Sequence, residues 1–173
     1  MMKRDKLPAE KIKPVRIEKR PAFTLAGVSA VTTNEAEQLG NGKIGTLFER
    51  FFTENIGEKL GVNIREAGNY SCYFHYEQED KGAYEIMVSV QVEDEASIQN
   101  VEGIQTYTVP EATYAVFKTE KGPVVEKIQQ AWAAIWEWQQ LPENQRTFTG
   151  DFEYYSGDMA PENGQVEIYI AIE

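Results

Sequence analysis

The chain has 173 residues and a formal charge of −11. Its length and its 42% of hydrophobic residues are typical of a globular domain with a hydrophobic core. No apolar run approaches the roughly 18 residues that a membrane-spanning helix needs, and the N-terminus lacks the apolar stretch of a signal peptide. A single cysteine excludes an internal disulfide, so we expect a cytoplasmic protein that does not contact a membrane.

The charge is unevenly distributed along the chain. Residues 3–20 contain eight Lys or Arg and three Asp or Glu, so the remainder carries −16. An acidic domain repels phosphate backbones, which argues against direct binding of nucleic acid. It suits a cationic ligand or a basic protein partner, although excess carboxylates also simply keep a protein soluble. We expect 1–14 to be a flexible basic leader, with Pro8 and Pro14 opposing helix, and 15–173 to form a single domain.

The first half of the domain predicts a strand, a helix and two further strands. The strands are expected at 15–31, 70–76 and 84–92, and the helix near 43–58. Pro21 lies within the first strand, where it cannot donate a hydrogen bond to a neighbour. The helix has an apolar face whose residues recur every three or four positions: Ile44, Leu47, Phe48, Phe51 and Phe52.

The second half predicts the same order of elements. An extended segment at 107–120 surrounds Pro110, a helix covers 123–140, and strands follow at 147–156 and 164–172. The match reaches single residues, because YEIMVSV at 84–90 aligns with VEIYIAI at 166–172.

This repeat predicts the fold class. We expect an α+β protein of two tandem duplicated strand–helix–strand–strand units, 15–92 and 105–173. Neither unit can bury its helix and its sheet alone, so the strands should join in one antiparallel sheet with two long helices on one face. The cleft between the helices is then the expected ligand site.

Few residues are suited to catalysis or metal binding. Cys72 and His75 are the only cysteine and histidine, and three residues apart on a predicted strand they point to opposite faces. The remaining carboxylates show no metal-ligand spacing, and no glycine-rich phosphate loop follows a strand. We therefore expect no catalytic residue, no metal and no cofactor, and favour a binding protein over an enzyme.

Carboxylates and aromatic residues cluster near the C-terminus. Glu153 and Tyr155 share one strand face, and Glu167 and Tyr169 share a face of the next strand. If these strands pair as a hairpin, the four side chains converge on one patch. Such a patch would attract a flat organic cation through the rings and the carboxylates. The alternative is a solvated sheet face with incidental tyrosines.

Three tryptophans lie within seven residues of the second helix. Trp132 and Trp136 are four apart and share a face, whereas Trp138 points away from Trp136. The shared face could pack in the core or stack on an aromatic ligand at the cleft. With Phe48 of the first helix, Trp132 and Trp136 complete the candidate ligand-binding residues.

The order of elements, FEYY near the end and the final VEIYIAI strand resemble the GyrI-like small-molecule-binding domain. The same module is the effector-binding domain of AraC-type and MerR-type multidrug-responsive regulators, and the resemblance covers 15–173. It implies a ligand-facing role for Glu153, with Glu167 and Tyr169 lining the same pocket. The chain has no helix-turn-helix segment, so we expect a stand-alone binding protein rather than a self-sufficient regulator.

The resemblance implies three activities. Our first hypothesis is binding of a small hydrophobic or cationic aromatic effector, in transcription regulation or xenobiotic response. The second is inhibition of DNA gyrase by protein–protein contact through the acidic surface. The third is hydrolysis of reactive small molecules by a cleft carboxylate and tyrosine. The protein partner, gyrase or a regulator, stays open, as does the choice between monomer and homodimer.

Overall fold

A computed structural model describes residues 13–98 and 101–173, so residues 1–12 of the expected leader lie outside it. The strands are β1 (Arg16–Arg20), β2 (Phe23–Thr33), β3 (Asn69–Phe74), β4 (Ala83–Val92), β5 (Gln105–Val109), β6 (Ala112–Lys118), β7 (Asp151–Tyr155) and β8 (Glu167–Ile172). The helices are α1 (Asn34–Gln38), α2 (Ile44–Thr53), α3 (Ile56–Lys59), α4 (Ile64–Ala67) and α5 (Val124–Trp138). In these residues, no helix is long and apolar enough to cross a bilayer.

All eight strands belong to one antiparallel sheet in the order β1-β6-β8-β7-β3-β4-β2-β5. Exchanging β1 with β5, β2 with β6, β3 with β7 and β4 with β8 gives the same order read from the other end. A pseudo-twofold axis therefore passes between β3 and β7. The predicted α+β fold of duplicated units in one antiparallel sheet is confirmed.

The two main helices pack on the same face of this sheet. Leu47 and Phe51 of α2 are buried with residues of β2 and β4, whereas Ala131 and Ile135 of α5 are buried with residues of β6 and β8. Phe48 contacts both of these clusters. The helices thus flank the axis and leave β3 and β7 beneath the space between them.

Each proline-containing segment forms two strands rather than one. Pro21 separates β1 from β2, and Pro110 separates β5 from β6, since proline removes a donor and restricts the residue before it. In each repeat the short strand before the proline pairs with a strand of the other repeat. Thus β1 of the first repeat pairs with β6 of the second, and β5 of the second pairs with β2 of the first. The two repeats therefore exchange their terminal strands across the sheet.

Among the other predicted elements, one helix and one strand are markedly shorter in the structure. The helix expected at 43–58 ends at Thr53, because Asn55 has a left-handed backbone with φ of 53° that α-helix cannot include. The strand expected at 147–156 begins only at Asp151. Phe148 and Gly150, with φ of 56° and 155°, prevent regular strand geometry before it.

Candidate functional site

A cavity of about 640 Å³ lies between α2 and α5, with the strands at the pseudo-twofold axis as its floor. Its walls are mainly apolar, and they include aromatic rings from both helices and from β3, β4 and β7: Phe48, Tyr73, Tyr84, Trp132, Trp136 and Tyr155. The cleft expected between the helices is thus present. Its size and lining are those of a small-molecule site.

Glu153 lies at the floor of this cavity and is only 1% exposed. Its Oε2 accepts hydrogen bonds from the Tyr73 hydroxyl at 2.9 Å and from Trp132 Nε1 at 2.7 Å. Its Oε1 accepts one from the Tyr155 hydroxyl at 2.6 Å. All three donors are neutral, and no basic side chain of the described residues forms a salt bridge with this carboxylate.

Burial raises the pKa of Glu153, and the hydrogen bonds from Tyr155, Trp132 and Tyr73 only partly offset that rise. Burial, together with the nearby Glu153 charge, also raises the pKa of both tyrosine hydroxyls well above the usual value. Both hydroxyls consequently remain protonated and act as donors.

The two tyrosines that contact Glu153 are equivalent residues of the two repeats. The alignment that pairs Glu85 with Glu167 also pairs Tyr73 with Tyr155 and Ser71 with Glu153. Ser71 and Glu153 are moreover directly opposite each other in the β3–β7 ladder, at the axis. Each repeat thus supplies one tyrosine, but only the second supplies the carboxylate.

The predicted aromatic residues of the helices also line the cavity. Trp132 binds Glu153, and its ring lies 5.5 Å from the Tyr73 ring and 6.1 Å from the Trp136 ring. Phe48 meets the Tyr155 ring edge-on at 5.6 Å. Trp138 points away, as expected, and packs in the core.

Glu167 and Tyr169 do not join this cluster, so the predicted convergence of four side chains is wrong. In the β7–β8 ladder Glu153 is opposite Ile168, whereas Glu167 is opposite Tyr154. A shift of one residue in register places a side chain on the other face of a sheet. There, Arg16 forms an ion pair with Glu167 at 3.1 Å and donates to the Tyr169 hydroxyl at 2.9 Å.

The environments of Glu153 and Glu167 consequently have opposite effects on the carboxyl pKa, which is raised for Glu153 and lowered for Glu167. Burial acts to raise the pKa of Glu167, but the hydrogen bonds from Arg16 and Tyr169 outweigh it, and the pKa falls below its usual value. Glu167 therefore has a cationic partner within the protein. Of these two carboxylates, only Glu153 has hydrogen-bond partners that are all neutral.

Sequence reasoning missed several residues that shape the cavity. Arg146, with a side chain only 2% exposed, forms an ion pair with the fully buried Asp151 at 2.7 Å. The Tyr76 hydroxyl also donates to Asp151, at 2.6 Å. Arg146 lies in an irregular segment, which gave no signal. Tyr73, by contrast, could have been found, because the repeat alignment pairs it with Tyr155.

Cys72 and His75 form no nucleophilic pair, but the reason differs from the predicted one. His75 lies just beyond the end of β3, with φ of 55°, and its Nδ1 is 2.9 Å from Glu85. Cys72 is fully buried, and burial raises the pKa of its thiol. Across 13–98 and 101–173, no group of three or more His, Cys, Asp or Glu could hold a metal ion.

Solved structures of other proteins share this fold. The integron cassette protein VCH_CASS2 from the mobile metagenome of Vibrio cholerae is 25% identical, with a TM-score of 0.73 over 94% of this chain and 97% of that one. SAV2435, solved bound to tetraphenylphosphonium, is 19% identical, with a TM-score of 0.72 over 91% and 93% of the two chains.

The sequence comparisons agree with the fold. YobU of Bacillus subtilis strain 168, whose name describes it as a candidate transcriptional regulator, is 33% identical over 150 residues, 86% of this chain and 91% of YobU. A family model described as Cass2, integron-associated effector binding protein, matches residues 16–172. The resemblance to the GyrI-like effector-binding domain is confirmed, and the chain belongs to the Cass2 family of integron-associated effector binding proteins.

Proposed function

We propose that this protein binds a small lipophilic aromatic cation between α2 and α5, with Glu153 as the counter-ion. The observation that carries the proposal is a buried carboxylate in an aromatic cavity whose hydrogen-bond donors are all neutral. Removing a carboxylate from water is unfavourable, and three neutral donors offset that cost only in part. A ligand cation would supply the missing charge.

The rings around Glu153 favour the same class of ligand. Trp132, Tyr73 and Tyr155 present apolar area and electron-rich faces, which attract organic cations at short range. A hydrated inorganic ion would gain little from such walls. SAV2435, which shares the fold, is a protein solved with tetraphenylphosphonium, and this supports that compound as a first probe.

The family supports a biological role as an effector-binding protein. Cass2 proteins are described as effector binding, and YobU is named as a candidate regulator. We propose that cation binding by this protein serves transcription regulation or a response to toxic organic cations.

The test compares a cation with a neutral analogue. Tetraphenylphosphonium and triphenylphosphine oxide are titrated into the wild type and Glu153→Gln at pH 8 by calorimetry. We expect the substitution to weaken phosphonium binding by about 2 kcal/mol, or roughly 30-fold, as for breaking one partner of a desolvated charge pair. Affinity for the neutral oxide should change by less than about three-fold.

Glu167→Gln is the matched control, because it makes the same chemical change on the opposite face of the sheet. It should leave phosphonium affinity at the wild-type value. Equal phosphonium affinity of the wild type and Glu153→Gln would contradict the proposal, as would an equal loss in both variants.

A further inference from the structure

A second cavity, of about 510 Å³, adjoins the aromatic one. The two share five lining residues: Asn34, Gln38, Asp80, Trp136 and Arg146. The second cavity extends past the C-terminal end of α5, and its other residues are mostly amides and charged groups. We call it the polar compartment. A ligand seated on Glu153 could therefore extend an arm into it.

The charges at the junction of the two cavities do not balance. Arg146 forms its short ion pair with Asp151, at 2.7 Å, whereas Asp80 lies 4.0 Å from the same guanidinium. Two carboxylates thus share one cation. Glu79 and Lys81, which also line the second cavity, carry opposite charges, so a net negative charge remains. Asp151 is fully buried, but the Asp80 side chain is 19% exposed and lines both cavities. The surplus charge is therefore presented to a ligand at Asp80.

The amides of the polar compartment are oriented by the main chain. Gln140, Asn144 and Gln145 donate from their NH₂ groups to backbone carbonyls at 3.3, 2.9 and 2.8 Å. Gln139 donates to Asp80 Oδ2 at 2.9 Å. These bonds leave the side-chain oxygens of Gln140, Asn144 and Gln145 without a hydrogen-bond partner among the described residues. The compartment thus offers three unpaired amide oxygens beside Asp80, as well as donors on Lys81 and on the unpaired Nε of Arg146.

From this arrangement we propose that the polar compartment binds a protonated amine on the same ligand. The preferred effectors are then aromatic cations that carry a hydrophilic ammonium arm, with the aromatic cation on Glu153 and the ammonium on Asp80. An ammonium has three donors and no acceptor, which matches the free acceptors and the surplus charge. A carboxylate arm would lie against the same free acceptors and the same surplus negative charge, and both contacts would be unfavourable. This inference rests on the proposed function, since it places a second group of the same ligand.

The test uses triphenylphosphonium salts that differ only in their arm. Alkyl arms of three to six methylenes end in a methyl, an ammonium or a carboxylate group. Each phosphonium compound is titrated into the protein at pH 7.5 and low ionic strength. At the best arm length, we expect the ammonium salt to bind the wild type about ten-fold more tightly than the methyl salt, within the range for a partly desolvated charge pair. The carboxylate salt should bind more weakly than the methyl salt.

Asp80→Asn should reduce the ammonium-to-methyl affinity ratio to about one. Glu126→Gln, an exposed position on α5 outside both cavities, should keep the wild-type ratio. The arm series on the wild type also tests the inference if Asp80→Asn does not fold.

The outcomes separate the two proposals. If the methyl salt binds and depends on Glu153, but the ammonium salt binds no better at any arm length, the polar-compartment proposal is overturned and the aromatic site stands. An ammonium advantage that survives in folded Asp80→Asn also overturns it. If no salt binds, or none depends on Glu153, the proposed function itself fails.

Discussion

Replacing Glu153 by Gln should stabilise the unliganded protein at neutral pH. Glutamine keeps the shape of the side chain, and its oxygen can still accept from Trp132 and Tyr73. The new NH₂ group would face Tyr155, whose hydroxyl can rotate to accept. The substitution therefore removes a buried charge without removing its hydrogen-bonding neighbours.

The sign of the effect on stability follows from the raised pKa of Glu153. The folded-state pKa is raised above the unfolded value, so its contribution to stability is fully present below the unfolded pKa and is lost as pH rises through the folded pKa. A buried carboxylate that is paired only with neutral donors costs on the order of 1–2 kcal/mol. We expect Glu153→Gln to recover this free energy at pH 8, which is roughly 3–6 °C in Tm for a domain of this size.

Urea unfolding at pH 4 and at pH 8, followed by far-ultraviolet circular dichroism, measures this difference. Tryptophan fluorescence is unsuitable, because Trp132 contacts the substituted group. The variant and the wild type should have similar free energies of unfolding at pH 4 and should diverge at pH 8. A variant that is less stable at pH 8, or an advantage of equal size at both pH values, would refute the reasoning.

Three further predictions concern other contacts. Tyr73→Phe and Tyr155→Phe each remove a donor that lowers the Glu153 pKa, so the pH midpoint of phosphonium binding should move upward in a pH titration; an unchanged midpoint would contradict this. Asp151→Asn removes the close partner of buried Arg146 and should cost about 3 kcal/mol in urea unfolding. Glu18→Gln, at a partly exposed ion pair, should cost less than about 0.5 kcal/mol. Gly27→Ala places a methyl against Val88 and Ser89 of the adjacent strand and should cost about 2 kcal/mol, whereas Gly45→Ala, with open space around it, should not destabilise.

The strand periodicity was sufficient to place Glu153 and Tyr155 together, because alternation along one strand is a local property. It did not determine whether Glu167 joined them. That depends on the register of β7 against β8, which forms between residues far apart in the chain. The repeat pattern also identifies Tyr73 as the equivalent of Tyr155 in the first repeat.

The loop residues of the site could not be predicted in this way. Asp80 lies in the turn between β3 and β4, and Arg146 in the irregular segment after α5. Neither has a periodic pattern, and their proximity results from the pairing of β3 with β7 in the sheet and from the Gln139 side chain, which contacts both. Long-range packing, not local preference, creates the polar compartment.

The position of Glu153 on the pseudo-twofold axis bears on how such a site can arise. A homodimer of single repeats must carry the same residue on both sides of its axis. Two glutamates there would face each other directly and repel, so that one would have to hold a proton. Two serines would leave the cavity uncharged. Fusing the repeats into one chain frees the halves to diverge, and here Ser71 faces Glu153 between two tyrosines that stayed alike. A single buried charge at the axis, rather than none or two, is possible because the two repeats are covalently linked.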